Sequence, residues 1–159
     1  MPEERPTTGS LVWHLAMRWR AVVDRTVAPL GLTHAQYSAL ASLRALTAGG
    51  ESPSQRQLAD YTGLGPIYVS KLVRALEKNG LVARVPDPSD ARAVRLSLTE
   101  RGVEVVARAV QVVRALDAEL TAPLGGPGSD QIRALGAALQ ALLHASPEPD
   151  AIPETGGEP

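Results

Sequence analysis

The sequence predicts a mainly α fold carrying one small β element, and three observations point there. Apolar residues recur at helical spacing through most of the 159 residues. Only the stretch from Leu81 to Leu98 changes to strict alternation around a turn-rich tip. Caps and breakers then divide the helical part into six segments.

The first helix spans about Ser10 to Ala28 and carries Leu11, Val12, Leu15, Trp19, Val22, Val23 and Val27 over more than one face. Pro29 and Gly31 end it. A second opens on the Thr33/Gln36 capping-box spacing and continues through Tyr37, Leu40, Leu43 and Leu46. Ser54 and Gln57 repeat that spacing at the start of a short third helix, which Gly63 stops with a sharp turn. Pro66 suits the first position of a fourth helix, and Asn79-Gly80 its end. Beyond the β element Thr99 caps a long fifth helix bearing Val103, Val106, Val110, Val113, Leu116 and Leu120. Pro123 and the GGPG run break it, and a sixth helix covers about Ser129 to His144.

The third and fourth helices carry the functional signal. Ala59, Gly63, Val69 and Leu72 occupy the contact positions of a helix-turn-helix, where small residues let two helices approach closely. At 100° per residue Val69, Leu72, Val73 and Leu76 form the buried stripe of the fourth helix. Ile67, Lys71, Arg74 and Lys78 project opposite, with Tyr68 and Ser70 on the flanks. Lys71 and Lys78 are the only lysines in the chain. A basic face is most often merely solvated; behind a helix-turn-helix turn it fits the DNA major groove. Pro66 at the start of that helix, and Ser54 and Gln55 at the start of the one before it, complete the contacts expected there.

After Gly80, Leu81, Ala83 and Val85 are expected on one face of a strand and Val82 and Arg84 on the other. The tip PDPSDA turns the chain, and the return strand alternates Val94, Leu96 and Leu98 with Ala93, Arg95 and Ser97. A lone hairpin of this length is marginal, so it must lean on the helices. Its tip then reaches outward as a wing, with Arg92 placed for a minor groove. Asp90 is expected to pair with Arg92 and position it, and Arg95 extends the basic edge.

The run LVARVPDPSDARAVRLSLTERG resembles the wing and following helix start of the multiple-antibiotic-resistance regulator (MarR) family. Asp90 and Arg92 match its D-x-R, and Leu98-Thr99 with Gly102 its L-T-x-x-G. Leu30-Gly31-Leu32-Thr33 with Gln36-Tyr37 is similar to the start of the family's second helix, and VSKLVRALEKNGLV occupies its recognition-helix slot. The resemblance spans roughly Leu11 to His144. It implies a winged helix-turn-helix over 33–99 between N- and C-terminal dimerisation helices, 10–30 and 100–145. The implied protein is a dimeric repressor or activator on a palindromic site in double-stranded DNA, often released by a small aromatic ligand. Such ligands bind between the dimer helices and the winged module, where Trp13, His14, Met17, His34 and Tyr37 are the candidate lining. A protonated His14 or His34 would favour an acidic ligand below about pH 6.5. The alternative is that these aromatics simply fill a Leu/Val core.

Composition bounds the rest. A chain of this length buries roughly two-thirds of its unfolded surface as a single domain, expected over 10–145. Net charge is −1, but residues 54–101 hold eight Lys/Arg against five Asp/Glu, whereas 146–159 hold four acids and no base. A basic module beside an acidic tail is the better description. Residues 1–9 and 146–159 are polar and Pro-rich and are expected to be disordered. There is no cysteine, no apolar run of bilayer length and no signal-peptide pattern at the start, so a cytoplasmic location is expected. The three histidines lack metal-ligand spacing, GGPG is no phosphate loop, and no serine sits in a nucleophile elbow. Neither enzyme, cofactor nor metal is expected. The remaining alternative is a winged helix that binds an acidic protein, without ligand response; a steep salt dependence on duplex DNA separates the two.

Overall fold

In the computed structural model, which describes residues 5–90 and 92–146, the expected elements follow in the expected order. Most of the two expected disordered termini, residues 1–4 and 147–159, lies outside the described residues. Helix α1 is Thr8–Val27 and begins two residues before Ser10, because Thr7 caps it: its Oγ1 accepts from the Ser10 N–H at 3.2 Å. Helix α2 is His34–Thr47 and α3 is Gln55–Thr62. Both capping boxes close reciprocally, Thr33 with Gln36 and Ser54 with Gln57. The tetrapeptide Ala-Pro-Leu-Gly occurs twice, at 28–31 and 122–125, and forms the same 3-10 turn both times, each ended by a left-handed glycine.

Gly63 takes φ +68°, a backbone region that a side chain disfavours, and turns α3 into α4, Pro66–Lys78. Strands β1, Val82–Pro86, and β2, Val94–Leu98, pair antiparallel, with Val82 opposite Leu98 and Arg84 opposite Leu96. Residues directly opposite share a face, so Val82 and Arg84 lie together and Ala83 and Val85 opposite them, as the alternation predicts, and the ladder adds which face is turned to the core. Val82, rather than Ala83 and Val85, lies with buried Leu96, and Val85 is left exposed. Leu81 is buried as well, but its N–H closes the end of α4 on the Leu76 carbonyl at 2.9 Å instead of joining the ladder.

Helix α5, Glu100–Thr121, starts beneath this hairpin. The Thr99 Oγ1 accepts from the Gly102 N–H at 2.9 Å and donates to the Gly80 carbonyl at 2.6 Å, while the Thr99 N–H donates to the Leu81 carbonyl at 3.1 Å. Gly102 approaches so closely that an added Cβ would stand 1.9 Å from the Leu81 oxygen. Leu-Thr-x-x-Gly is thus a joint: threonine locks the strand end to the helix start, and glycine lets them touch.

The chain divides into two compact units, residues 1–115 and 116–159, with the boundary inside α5. In the first unit α2 packs against α1, α3, α4 and β2, and α3 against α4. Val23, Val27, Leu40, Leu43, Leu58, Val73, Leu76, Leu96 and Val106 form its core. The second unit contains α6, Asp130–Ala145, capped by Ser129 and without a buried residue. No helix among the described residues is long and apolar enough to cross a membrane.

Candidate nucleic-acid interface

Helix α4 presents two faces as its spacing requires. Val69, Leu72, Val73 and Leu76 are buried, and Lys71, Arg74 and Lys78 are exposed. Ile67 is 78% exposed and Tyr68 45%, a strong bias for apolar side chains to carry without a partner surface. Ser70 is half-buried on the flank. Gly65 supplies no side-chain cap and Pro66 no N–H, so the first-turn donors of Ile67 and Tyr68 remain for an outside acceptor. The start of α3 differs. There the Ser54 Oγ already accepts from Gln57 and its N–H donates to the Gln57 Oε1, with Gln55 half-buried beside them.

The wing root is a polar knot. Asp87 is 8% exposed, and its Oδ1 accepts from both the N–H and the hydroxyl of Ser89, at 2.8 and 2.6 Å. Its Oδ2 accepts from Arg95 Nε at 2.5 Å, and Arg95 Nη1 donates to the Ser52 carbonyl at 3.0 Å. The Ser89 hydrogen bonds, with help from Arg95, hold the Asp87 carboxyl down to about 2 against the opposing effect of burial. Arg95, expected on the basic edge, therefore has its guanidinium bound inward. Arg84 is also engaged, 2.7 Å from the Glu77 carboxylate of α4. At the tip, the Asp90 Oδ1 accepts from the backbone N–H of Arg92 at 2.9 Å. Asp90 thus shapes the turn, and the Arg92 side chain is exposed with no ion pair among the described residues.

The candidate ligand residues do not converge within the described chain. Trp13 is 62% exposed, with His14 and Met17 exposed beside it, and the Ser10 hydroxyl contacts His14 Nδ1 at 3.3 Å. His34, the first residue of α2, sits against the far part of α1: its backbone N–H donates at 2.5 Å to the Oδ1 of Asp24, which stands eleven residues and roughly 16 Å of helix from Trp13. Burial pushes the His34 imidazole below its ordinary pKa and Arg20 adds to this, against the pull of Asp24. Its expected protonation near pH 6.5 accordingly moves to lower pH. Tyr37 is half-buried, which raises its hydroxyl pKa against the influence of Arg114.

Residues 30–93 match the model of the MarR family. Over 109 residues the chain is 38% identical to the uncharacterized HTH-type transcriptional regulator YdcH of Bacillus subtilis (strain 168), covering 69% of this chain and 74% of that one. The chain belongs to the MarR family. It is a transcriptional regulator with a DNA-binding winged helix-turn-helix, not an enzyme. Two solved MarR-like structures are similar to it. The transcriptional repressor CouR, bound to a 23-mer DNA duplex, is 30% identical with TM-score 0.68, covering 87% of this chain and 91% of that one. MepR of S. aureus, in a DNA complex, shares the fold at TM-score 0.80 and 21% identity, covering 89% and 100%. The matched MarR span holds α2 through the wing tip, including Lys71, Arg74, Asp90 and Arg92, and leaves Trp13, His14 and Met17 outside.

Three residues of this MarR module escaped the sequence reading: Ser52, Glu77 and Asp87. Asp87-Pro88-Ser89 did carry a signal, because aspartate two residues before a serine commonly bonds its backbone. Ser52 and Glu77 carried none, since their partners lie 43 and seven residues away in sequence.

Proposed function

We propose that this MarR regulator acts in the cytoplasm as a homodimeric repressor of a palindromic operator in double-stranded DNA, released by a small, aromatic ligand. The observation that carries the DNA reading is α4. Its exposed face joins two apolar side chains and free first-turn N–H groups at one end to Lys71, Arg74 and Lys78 along its length. Ile67 and Tyr68 suit thymine methyls and base edges, Lys71 and Arg74 suit guanine, and Lys78, roughly 16 Å further along, suits a phosphate. Arg92 would enter the flanking minor groove.

A second copy is supported by apolar faces left uncovered in one chain. On α1 these are Leu11, Trp13 and Leu15; on α6 they include Leu135, Leu139, Leu142 and Leu143, the last 74% exposed. Twofold symmetry would set two α4 helices about one DNA turn, ~10 bp, apart. Ligand release requires that the ligand prefer the dimer conformation that does not bind DNA. Trp13, exposed on α1, would report such binding by fluorescence, with small aromatic carboxylates and phenols as probes.

Titration of the full chain with duplexes selected from a random-sequence pool, at several salt concentrations, tests the reading. Affinity should fall steeply with salt and favour the full palindrome over one half-site. Salt-independent binding, or equal affinity for half-site and full site, overturns it.

A further inference from the structure

We propose that Arg95 is a positioning residue for the wing: it ties the hairpin to the chain entering α3 and so fixes where Arg92 meets DNA. The inference rests on the DNA reading above and departs from the simpler view of Arg95 as one more cation on the interface. Arg95 uses two separate donors in two directions, Nε to Asp87 Oδ2 within the wing and Nη1 to the Ser52 carbonyl outside it. The second bond crosses from β2 to the residue preceding Pro53, whose own carbonyl accepts from the Leu96 N–H at 2.8 Å. Arg95 also forms an isolated backbone bridge with Ser54, the N-cap of α3. Side chain and backbone thus clamp the base of the wing to the first helix of the helix-turn-helix at neighbouring points.

The other end of the clamp is equally constrained. Asp87 is the one buried charged side chain among the described residues, and both carboxylate oxygens are occupied. The Asp87 N–H donates to the Ala93 carbonyl at 3.0 Å, closing the hairpin just below its tip. A buried carboxylate that loses its cation is costly, so Arg95 cannot swing to a phosphate without leaving Asp87 uncompensated. Among the described residues Arg92 is tied to this frame through the turn: its backbone N–H is held by Asp90 while its guanidinium is exposed. Tilting the root moves the tip. Among the described residues the side-chain hydrogen bonds of the tip, Asp87 with Ser89 and Asp90 with Arg92, stay within the turn, so the five-residue strands carry the tip from their root.

Contact and positioning roles predict opposite signs for one substitution. Asp87→Asn removes a negative charge beside DNA and frees Arg95. If Arg95 were a restrained DNA contact, operator affinity would rise. If Arg95 positions the wing, affinity should fall, by roughly tenfold per wing for the loss of one charge-assisted hydrogen bond at Arg92. Arg95→Met, which keeps the stem and removes the charge, should match that loss. Adding Arg95→Met to Arg92→Ala should change affinity no further than about twofold, because the two act through one interaction with DNA.

These variants, Arg92→Ala and the parent are compared as full chains on the selected duplex over a salt series, with hydroxyl-radical footprints. The positioning role predicts loss of flanking protection with central protection retained, which a generally misfolded variant would not give. Tighter binding by Asp87→Asn overturns the proposal. So do an unchanged affinity for Arg95→Met, multiplicative losses in the double variant, or loss of the whole footprint by both Asp87→Asn and Arg95→Met. Failure of the parent itself to bind any duplex instead overturns the DNA reading beneath it.

Discussion

Gly102→Ala tests the joint between wing and α5 most sharply, because helix propensity and packing predict opposite signs. In an open helix the change would stabilise by about 1 kcal/mol. Here the new methyl would lie 1.9 Å from the Leu81 oxygen and 2.9 Å from its carbonyl carbon. Ordinary contact needs about 3.5 Å, so one backbone must retreat by roughly 1.5 Å. Neither neighbour is a flexible side chain that can swing away. Overpacking of this kind costs about 1–3 kcal/mol. The displacement also pulls on the 3.1 Å bond from the Thr99 N–H to the same oxygen, whose loss adds about 1 kcal/mol. The net expectation is a destabilisation of about 1–3 kcal/mol, or roughly 3–10 °C in melting temperature for a chain of this size. Circular-dichroism melts and urea titrations of the full chain measure it, at constant protein concentration. Gly9→Ala, also helical but with nothing within 4 Å of the added Cβ, serves as the control and should be neutral or stabilising. If Gly102→Ala melts at or above the parent, the close approach is not what requires glycine there.

Other outcomes follow from the same geometry. Lys71→Ala and Arg74→Ala should weaken operator binding, and a variant that no longer reaches a base edge should lose roughly 1–3 kcal/mol of discrimination at that base pair; unchanged affinity for both places the interface elsewhere. Arg92→Ala should lower the salt slope by about 0.9 for each phosphate left without its cation. Arg84→Ala should leave the slope unchanged, because its guanidinium is already on Glu77. Sedimentation should find a dimer at micromolar concentration and a monomer after Leu139→Glu in α6; a monomeric parent refutes the second copy. His34 has a folded pKa below its unfolded value, so the unfolded chain binds the extra proton first. Stability from this source is complete above the unfolded value and falls as pH drops from about 6.5 towards the lower folded pKa. His34→Gln should flatten that part of the urea-midpoint profile between pH 7.5 and 5, and an unaltered profile would show that His34 does not cause it.

The features legible in the sequence were those whose partners lie within one helical turn. Ser54 with Gln57 and Thr33 with Gln36 are three residues apart, so each cap is a local event, and both closed as the spacing predicts. The buried stripe of α4 was readable for the same reason, since Val69, Leu72, Val73 and Leu76 share a face by helical geometry alone. Gly63 and Gly102 were both visible as motif glycines, but for different causes: one for its own φ, the other for a neighbour 21 positions earlier. The alternation of β1 was readable locally, but which of its two faces is buried was not, because Val82 was turned inward only by its partner across the ladder. Nor was the engagement of Arg95, whose partners stand eight and 43 positions away. A basic residue in a sequence is a charge; whether that charge is free depends on which carboxylates and carbonyls the fold brings to it. Arg92 and Arg95 look alike in the chain, three residues apart, yet folding leaves one exposed at the tip and binds the other inward at the root.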